Sequence, residues 1–113
     1  NLQCGDVSED LAAAEAAGIR LWTPPIDLKN DLEDLAALSL AMDVVIGPGI
    51  AGTNIAAAVG AETWLIYAPD DWHLLGTDHY PFYPRMRTFA RAFDGWDAAI
   101  TDVAAALAER ASG

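Results

Sequence analysis

The sequence predicts an α/β layered fold with a mostly parallel sheet, and three observations carry that expectation. Val44-Val45-Ile46 is an unbroken β-branched run of the kind buried on both faces of a sheet, and Thr63 to Tyr67 is a second β-branched and aromatic run. Stretches with helical spacing precede, separate and follow them, so strands and helices alternate. A length of 113 residues, 53% of them hydrophobic and 20% charged, suits one domain, 1–113, around one core.

Taken in order, Asn1 to Gln3 read as the end of a strand. Ser8 then has the character of a helix N-cap, with Glu9 and Asp10 at the positive end of the dipole, and the helix runs from Glu9 to about Ala17. Gly18 ends it in the left-handed conformation, and Ile19 to Trp22 form a short strand closed by Pro24 and Pro25. Asp31, with Asp34 three residues on, imitates a capping box before a helix from Leu32 to Ala41, with Leu32, Leu35, Leu38 and Met42 on its apolar face. After the Val44 to Ile46 strand, Gly47-Pro48-Gly49 forces a turn, Ala51 to Val59 is helical, and Gly60 stops it. Thr63 to Tyr67 is the next strand. Ala68 to Arg91, with four breakers and no sustained period, is a long loop with one short helical turn. Gly95-Trp96-Asp97 opens a last helix whose stripe is Ile100, Val103, Ala104, Leu107 and Ala108.

A net charge of −11 and a pI near 4.1 exclude polyanionic partners such as nucleic acid or an anionic membrane surface. No run reaches the roughly 18 to 20 apolar residues of a membrane span, and the acidic start is unlike a signal peptide, which together predict a cytoplasmic location. The lone Cys4 reads as a small core residue. Against the acidic background Arg85, Arg87 and Arg91 fall within seven positions, a local reversal of sign beside an aromatic-rich loop.

In parallel sheets ligands bind beyond the carboxyl ends of the strands, which directs attention to Gly47-Pro48-Gly49-Ile50-Ala51-Gly52-Thr53-Asn54. Small residues there allow close backbone approach, and a helix starting near Ala51 aims free N–H groups at an anion such as a diphosphate. The spacing matches neither the P-loop nor the dinucleotide-binding glycine pattern, and a tight turn without a ligand explains it equally well. A second candidate is Trp72 to Phe89. Its aromatics can stack on a base or sugar, and Arg85 and Arg87 can hold phosphate or carboxylate. The competing reading is that Trp72, Phe82 and Phe89 pin the loop to the core. His73 and His79 lack metal-ligand spacing, no serine nucleophile elbow exists, and Asp70 and Asp71 suit a solvated turn, so the catalytic residues stay unknown and neither a metal nor a cofactor is expected.

Several stretches, in their order, resemble a known family: Asp31 to Leu38, Met42-Asp43-Val44-Val45-Ile46, Ala56 to Gly60, Thr63-Trp64-Leu65-Ile66, and Trp72 through Pro81-Phe82-Tyr83-Pro84-Arg85-Met86-Arg87-Thr88-Phe89. They are similar to the C-terminal domain of heptosyltransferase-like glycosyltransferases, glycosyltransferase family nine-like and often fused to tetratricopeptide repeats. The likeness runs from Leu2-Gln3 to about Leu107. It implies one Rossmann-like half of a GT-B fold that holds a nucleotide-sugar donor, without a metal, and transfers the sugar to a glycan, lipid-linked or protein acceptor. By the resemblance Gly47, Gly49, Ile50, Ala51, Gly52, Thr53, Asn54 and Arg87 bind the donor, and Asp31, Asp34, Trp72, Tyr83 and Arg85 border the site.

The resemblance further implies that the first strand of this domain and the acceptor-binding N-terminal GT-B domain are missing. A fragment of that kind is not expected to turn over substrate alone, and its partners are the absent GT-B domain or a tetratricopeptide repeat domain. Where the family commonly has an Asp-Thr pair and, four residues after the Thr, a His, this chain has Gly49, Ile50 and Asn54. That departure supports a second reading, a non-catalytic glycosyltransferase-like domain serving as a protein interaction module. A sensor of the doubly wound type is a third, and it lacks a phosphoacceptor aspartate at a strand end.

Overall fold

The computed structural model describes residues 1–113 except for the side chain of His73; that histidine, weighed above as a metal ligand, lies outside the described residues. It is an α/β structure of four helices and a small parallel sheet: α1 (Ser8–Ala16), α2 (Leu32–Ala41), β1 (Val45–Gly47), α3 (Ala51–Ala58), β2 (Thr63–Tyr67), a 3₁₀ turn Trp72–Leu74, β3 (Arg87–Ala90) and α4 (Asp97–Ser112). The sheet order is β1-β2-β3, with Val45 beside Thr63, Gly47 beside Leu65, Trp64 beside Arg87 and Tyr67 beside Ala90.

The pleat sorts the strand side chains onto two faces. On one face Trp64 and Phe89 pack with Val103 and Ala106 of α4, joined by Val44, Ile46 and Ile66. On the other, Leu65 packs with Leu74, Tyr80 and Met86, joined by Ala57 of α3 and by Tyr67 and Tyr83. Residues 68–86 are therefore a strap laid over the α3 side of the sheet, and Leu74, Tyr80 and Met86 hold it down. Trp72 and Phe82, two of the aromatics expected to pin it, are 70% and 66% exposed, and only Phe89 of the three is buried.

The α4 helix runs antiparallel to the strands. Trp96, at its start, lies under the Arg91 guanidinium just beyond β3, whereas Arg110 near its end reaches Asp43 and Glu62 ahead of β1 and β2. Its buried positions are Ala99, Val103 and Ala106. The expected stripe is thus rotated: Ile100 is half exposed and Ala104 and Ala108 face solvent, because small alanines let the helix settle close to Trp64 and Phe89.

Two chain reversals follow one scheme. At Gly18 (φ +75°) the amides of Gly18 and Ile19 donate to Glu15 and Ala14, and at Gly60 (φ +92°) those of Gly60 and Ala61 donate to Ala57 and Ala56. Both are Schellman closures, and both put glycine where a Cβ is disfavoured.

The N-terminal expectations need the most correction. Asn1 to Gln3 and Ile19 to Trp22 lie outside the sheet; Asn1 touches Trp22 and Thr23, yet Ile19, Leu21 and Trp22 are all more than half exposed. Two short segments without further strands do not form a stable ladder in water. Ser8 is inside α1, and the group that caps the turn is Asp6, whose carboxylate accepts from the Ser8 amide at 3.0 Å and the Ser8 hydroxyl at 2.6 Å, which also holds its pKa below the ordinary value. Cys4 is exposed, not a core residue. Elsewhere, Leu32 of the α2 stripe points outward while Leu35 and Ser39 are buried, and Val44 precedes β1. Arg87–Ala90, expected as loop, is the third strand. No helix among the described residues is long and apolar enough to cross a membrane.

Candidate functional site

β1 delivers Gly47 to the carboxyl end of the sheet, where the chain turns and enters α3 four residues later. The turn is tight: the Ile50 amide donates to the Pro48 carbonyl at 2.8 Å. Gly47 is required by contact rather than by φ, since a Cβ there would stand 2.6 Å from Thr53 Oγ1. Buried Thr53 therefore lies flat against the strand end, and α3 begins closer to the sheet than a larger residue would allow.

The N-cap of α3 is Ile50, which has no side-chain oxygen to satisfy the first-turn amides. Ile50 is half exposed, Ala51 is exposed, and Gly49 and Gly52 are partly accessible, so the first turn presents backbone donors at the surface. Asn54 faces elsewhere: its Nδ2 donates to the Ile50 carbonyl at 2.9 Å, and its Oδ1 accepts from the Tyr80 hydroxyl at 2.8 Å. Asn54 thus ties the turn to the strap. Burial raises the Tyr80 phenol above its ordinary pKa, which keeps that donor protonated.

The remaining candidates divide between the two ends of the sheet. Trp72 follows β2 at the carboxyl end. Arg87 opens β3 beside Trp64, on the α4 face, with its guanidinium 5.2 Å from the Trp64 ring centre and 5.0 Å from that of Phe89. Thr53 and Asn54 are on α3, against the opposite face, so the structure does not bring Arg87 to the glycine turn. Tyr83 stacks on Tyr80 at 5.4 Å, and together with Arg85 it lines a cleft of about 410 Å³ at the amino end, between the α3 terminus and residues 82–86. Asp31 caps α2, accepting from the Asp34 amide at 3.4 Å, and the facing Asp31 carboxylate pushes the Asp34 carboxyl above its ordinary pKa. α2 packs on α3, but no hydrogen bond links either aspartate to the turn among the described residues.

Arg91, noted in the sequence as part of the basic cluster but not assigned to the site, lies at the carboxyl end. Arg91 follows β3 directly and its amide donates to the Tyr67 carbonyl at 2.7 Å. Its guanidinium lies 5.0 Å from the Trp96 ring centre, and its Nε is buried without a hydrogen-bond partner among the described residues. The available signal was the pair Thr88-Phe89, a β-branched residue followed by an aromatic, which favours a strand only weakly in a segment with no polar-apolar alternation. Among the described residues no group of histidine, cysteine and acidic side chains has the arrangement of a metal site.

The class these features define is a small parallel α/β domain with a glycine turn feeding a helix at the carboxyl end of its sheet. Protein FlbA of Caulobacter vibrioides is 44% identical to it over 115 aligned positions, covering 99% of this chain and 19% of that protein. The chain thus spans about a fifth of the length of the curated relative it matches. No family model matches the chain, and no solved structure matches it.

Proposed function

We propose that this domain is the donor-binding part of a glycosyltransferase, a Rossmann-like half of a GT-B fold that holds a nucleotide-sugar for transfer to a glycan, lipid-linked or protein acceptor. The observation that carries the reading is the α3 start. Uncapped first-turn amides follow two small turn residues, Gly47 and Gly49, at the end of a parallel strand, which is where an α/β sheet places an anionic ligand. In this reading the amides of Gly49, Ala51, Gly52 and Thr53 meet the diphosphate, whose charge grows as the glycosidic bond breaks, while the Ile50 amide stays with the Pro48 carbonyl. Arg91 replaces Arg87 as the cation nearest the strand ends. The partners are a second GT-B domain or a tetratricopeptide repeat domain, and the location is where nucleotide-sugars are made, the cytoplasm.

The decisive test is calorimetric titration of the full-length protein with UDP, ADP, GDP and CMP and their sugars, against Gly52→Asp. Gly52 has open space around its Cα, and a carboxylate in the first turn suits the helix dipole while repelling a diphosphate. Saturable binding by the parent and its loss in a variant of unchanged melting temperature is the expected result. Equal affinity in both removes the turn from the reading.

The second reading is the interaction module. It is favoured by Ile50 where a polar ligand-binding side chain is expected and by the exposed run Ile19, Leu21 and Trp22. A folded full-length protein that binds none of the nucleotides but holds a stable protein partner establishes it.

A further inference from the structure

The cleft at the amino end of the sheet lies away from the glycine turn and is not used by the donor reading. Its lining is mixed, apolar at Ala57, Tyr83 and Met86 and polar at Glu62, Thr63 and Arg85, with the exposed Phe82 ring at the rim, and its volume of about 410 Å³ falls within the range of small-molecule sites. Arg85 lines the same cleft and makes no hydrogen bond or ion pair with another described residue. Its guanidinium is exposed and, like the side chains of Arg20 and Lys29, pairs with no acidic side chain among the described residues.

The negative groups nearby are already engaged. Glu62, also at the cleft, accepts from Arg110 Nη2 at 3.0 Å and from Trp64 Nε1 at 3.1 Å, and Arg110 and Arg87 together favour its ionised form and hold its pKa below the ordinary value. The carbonyls of Ala56 and Ala57 at the α3 terminus, which would otherwise present the negative end of the helix dipole, accept from the Ala61 and Gly60 amides. Arg85, Arg87 and Arg110 stand near two acids, Glu62 and Asp43, at this end of the sheet, a local excess of one positive charge on a protein of net charge −11.

We propose that this cleft is a second ligand site, for a small molecule with a flat apolar body and one anionic group, either phosphate or carboxylate. The body lies against Phe82 and Tyr83, and the anion takes the paired N–H donors of Arg85. The Tyr80–Tyr83 stack, with planes 3° apart, braces that wall from behind, and Tyr80 is itself anchored through Asn54.

The test follows backbone amide shifts by NMR while the chain is titrated with phenyl phosphate, benzoate and the uncharged benzyl alcohol. Saturable shifts at Ala61 to Thr63 and at Phe82, Tyr83, Arg85 and Met86 are expected with one or both anions, and the tighter anion identifies the head group. Arg85→Gln, an exposed substitution, is expected to weaken binding at least about ten-fold, the effect of losing one charge-assisted contact, and Gly52→Asp is expected to leave it unchanged. The proposal is overturned if neither anion shifts the cleft amides, if benzyl alcohol binds as tightly, if Arg85→Gln binds like the parent, or if Gly52→Asp abolishes the effect by locating it at the turn. Since donor binding is read at α3 and this site at residues 61–63 and 82–86, either can fail without the other.

Discussion

Residues 1–30 and residues 43–107 are built from similar local signals but end differently. Each contains a helix closed by a Schellman glycine, and each contains a β-branched or aromatic run after it. In the second region the run becomes β2, and Leu65 and Trp64 are almost wholly buried. In the first region α1 buries no residue, and Ile19, Leu21 and Trp22 stand in solvent. The difference teaches that strand propensity is a preference for a half-buried pleated surface, realised only where a neighbouring strand and a covering helix exist.

The sharpest way to break this comparison is to remove an apolar side chain from each region. Leu65→Ala is expected to cost about 2 to 5 kcal/mol, from lost burial and the cavity left between α3 and the strap. Trp22→Ser, though it deletes a larger side chain, is expected to stay within about 0.5 kcal/mol. Denaturant unfolding of both variants checks the pair; a Trp22 effect as large as that of Leu65 would show that the N-terminal segment is packed after all.

A smaller contrast uses the two glycines. Alanine at either must adopt a left-handed φ, at a local cost of about 1 kcal/mol. Gly60→Ala is expected to lower the global melting temperature, since that turn connects α3 to β2. Gly18→Ala is expected to show only local opening of α1, read as faster amide exchange at Ala14 to Ile19 with the global transition unmoved.

The smallest effect concerns pH. Arg110 holds the Glu62 carboxyl below its ordinary pKa, so the pair stabilises the fold above that ordinary value and the contribution is lost as pH falls through the lowered one. Asp34, raised by Asp31, works in the opposite sense: its contribution is present at low pH and disappears as pH rises through the raised value. Melting temperature between about pH 6 and about pH 3 is therefore expected to fall less in Arg110→Gln than in the parent, with both groups exposed and the difference small.

Much of the carboxyl-end architecture was legible. The β-branched runs, the Gly47-Pro48-Gly49 break and Gly60 mark β1, α3 and β2 to within a residue, because each is set by local sterics. The Asp31 cap was legible for the same reason, since its partner amide is three residues away. The division of the site was not. Arg85, Arg87 and Arg91 are close in sequence, yet one lines the amino-end cleft, one lies on Trp64 and Phe89, and one passes beyond the end of β3. Spacing along a chain does not reveal which end of a strand a residue occupies when the strand itself has been read as loop.

The sequence alone determined the α/β class, the glycine-controlled reversals and the strands β1 and β2, because backbone sterics and short-range hydrogen bonds act over a few residues. The tertiary structure decided which runs became strands, which face of α4 was buried, and that the arginines serve different ends of the sheet. Those outcomes depend on pairing between segments 20 or more residues apart, such as β2 with β3 and Tyr80 with Asn54, whose free energy is absent from any local window.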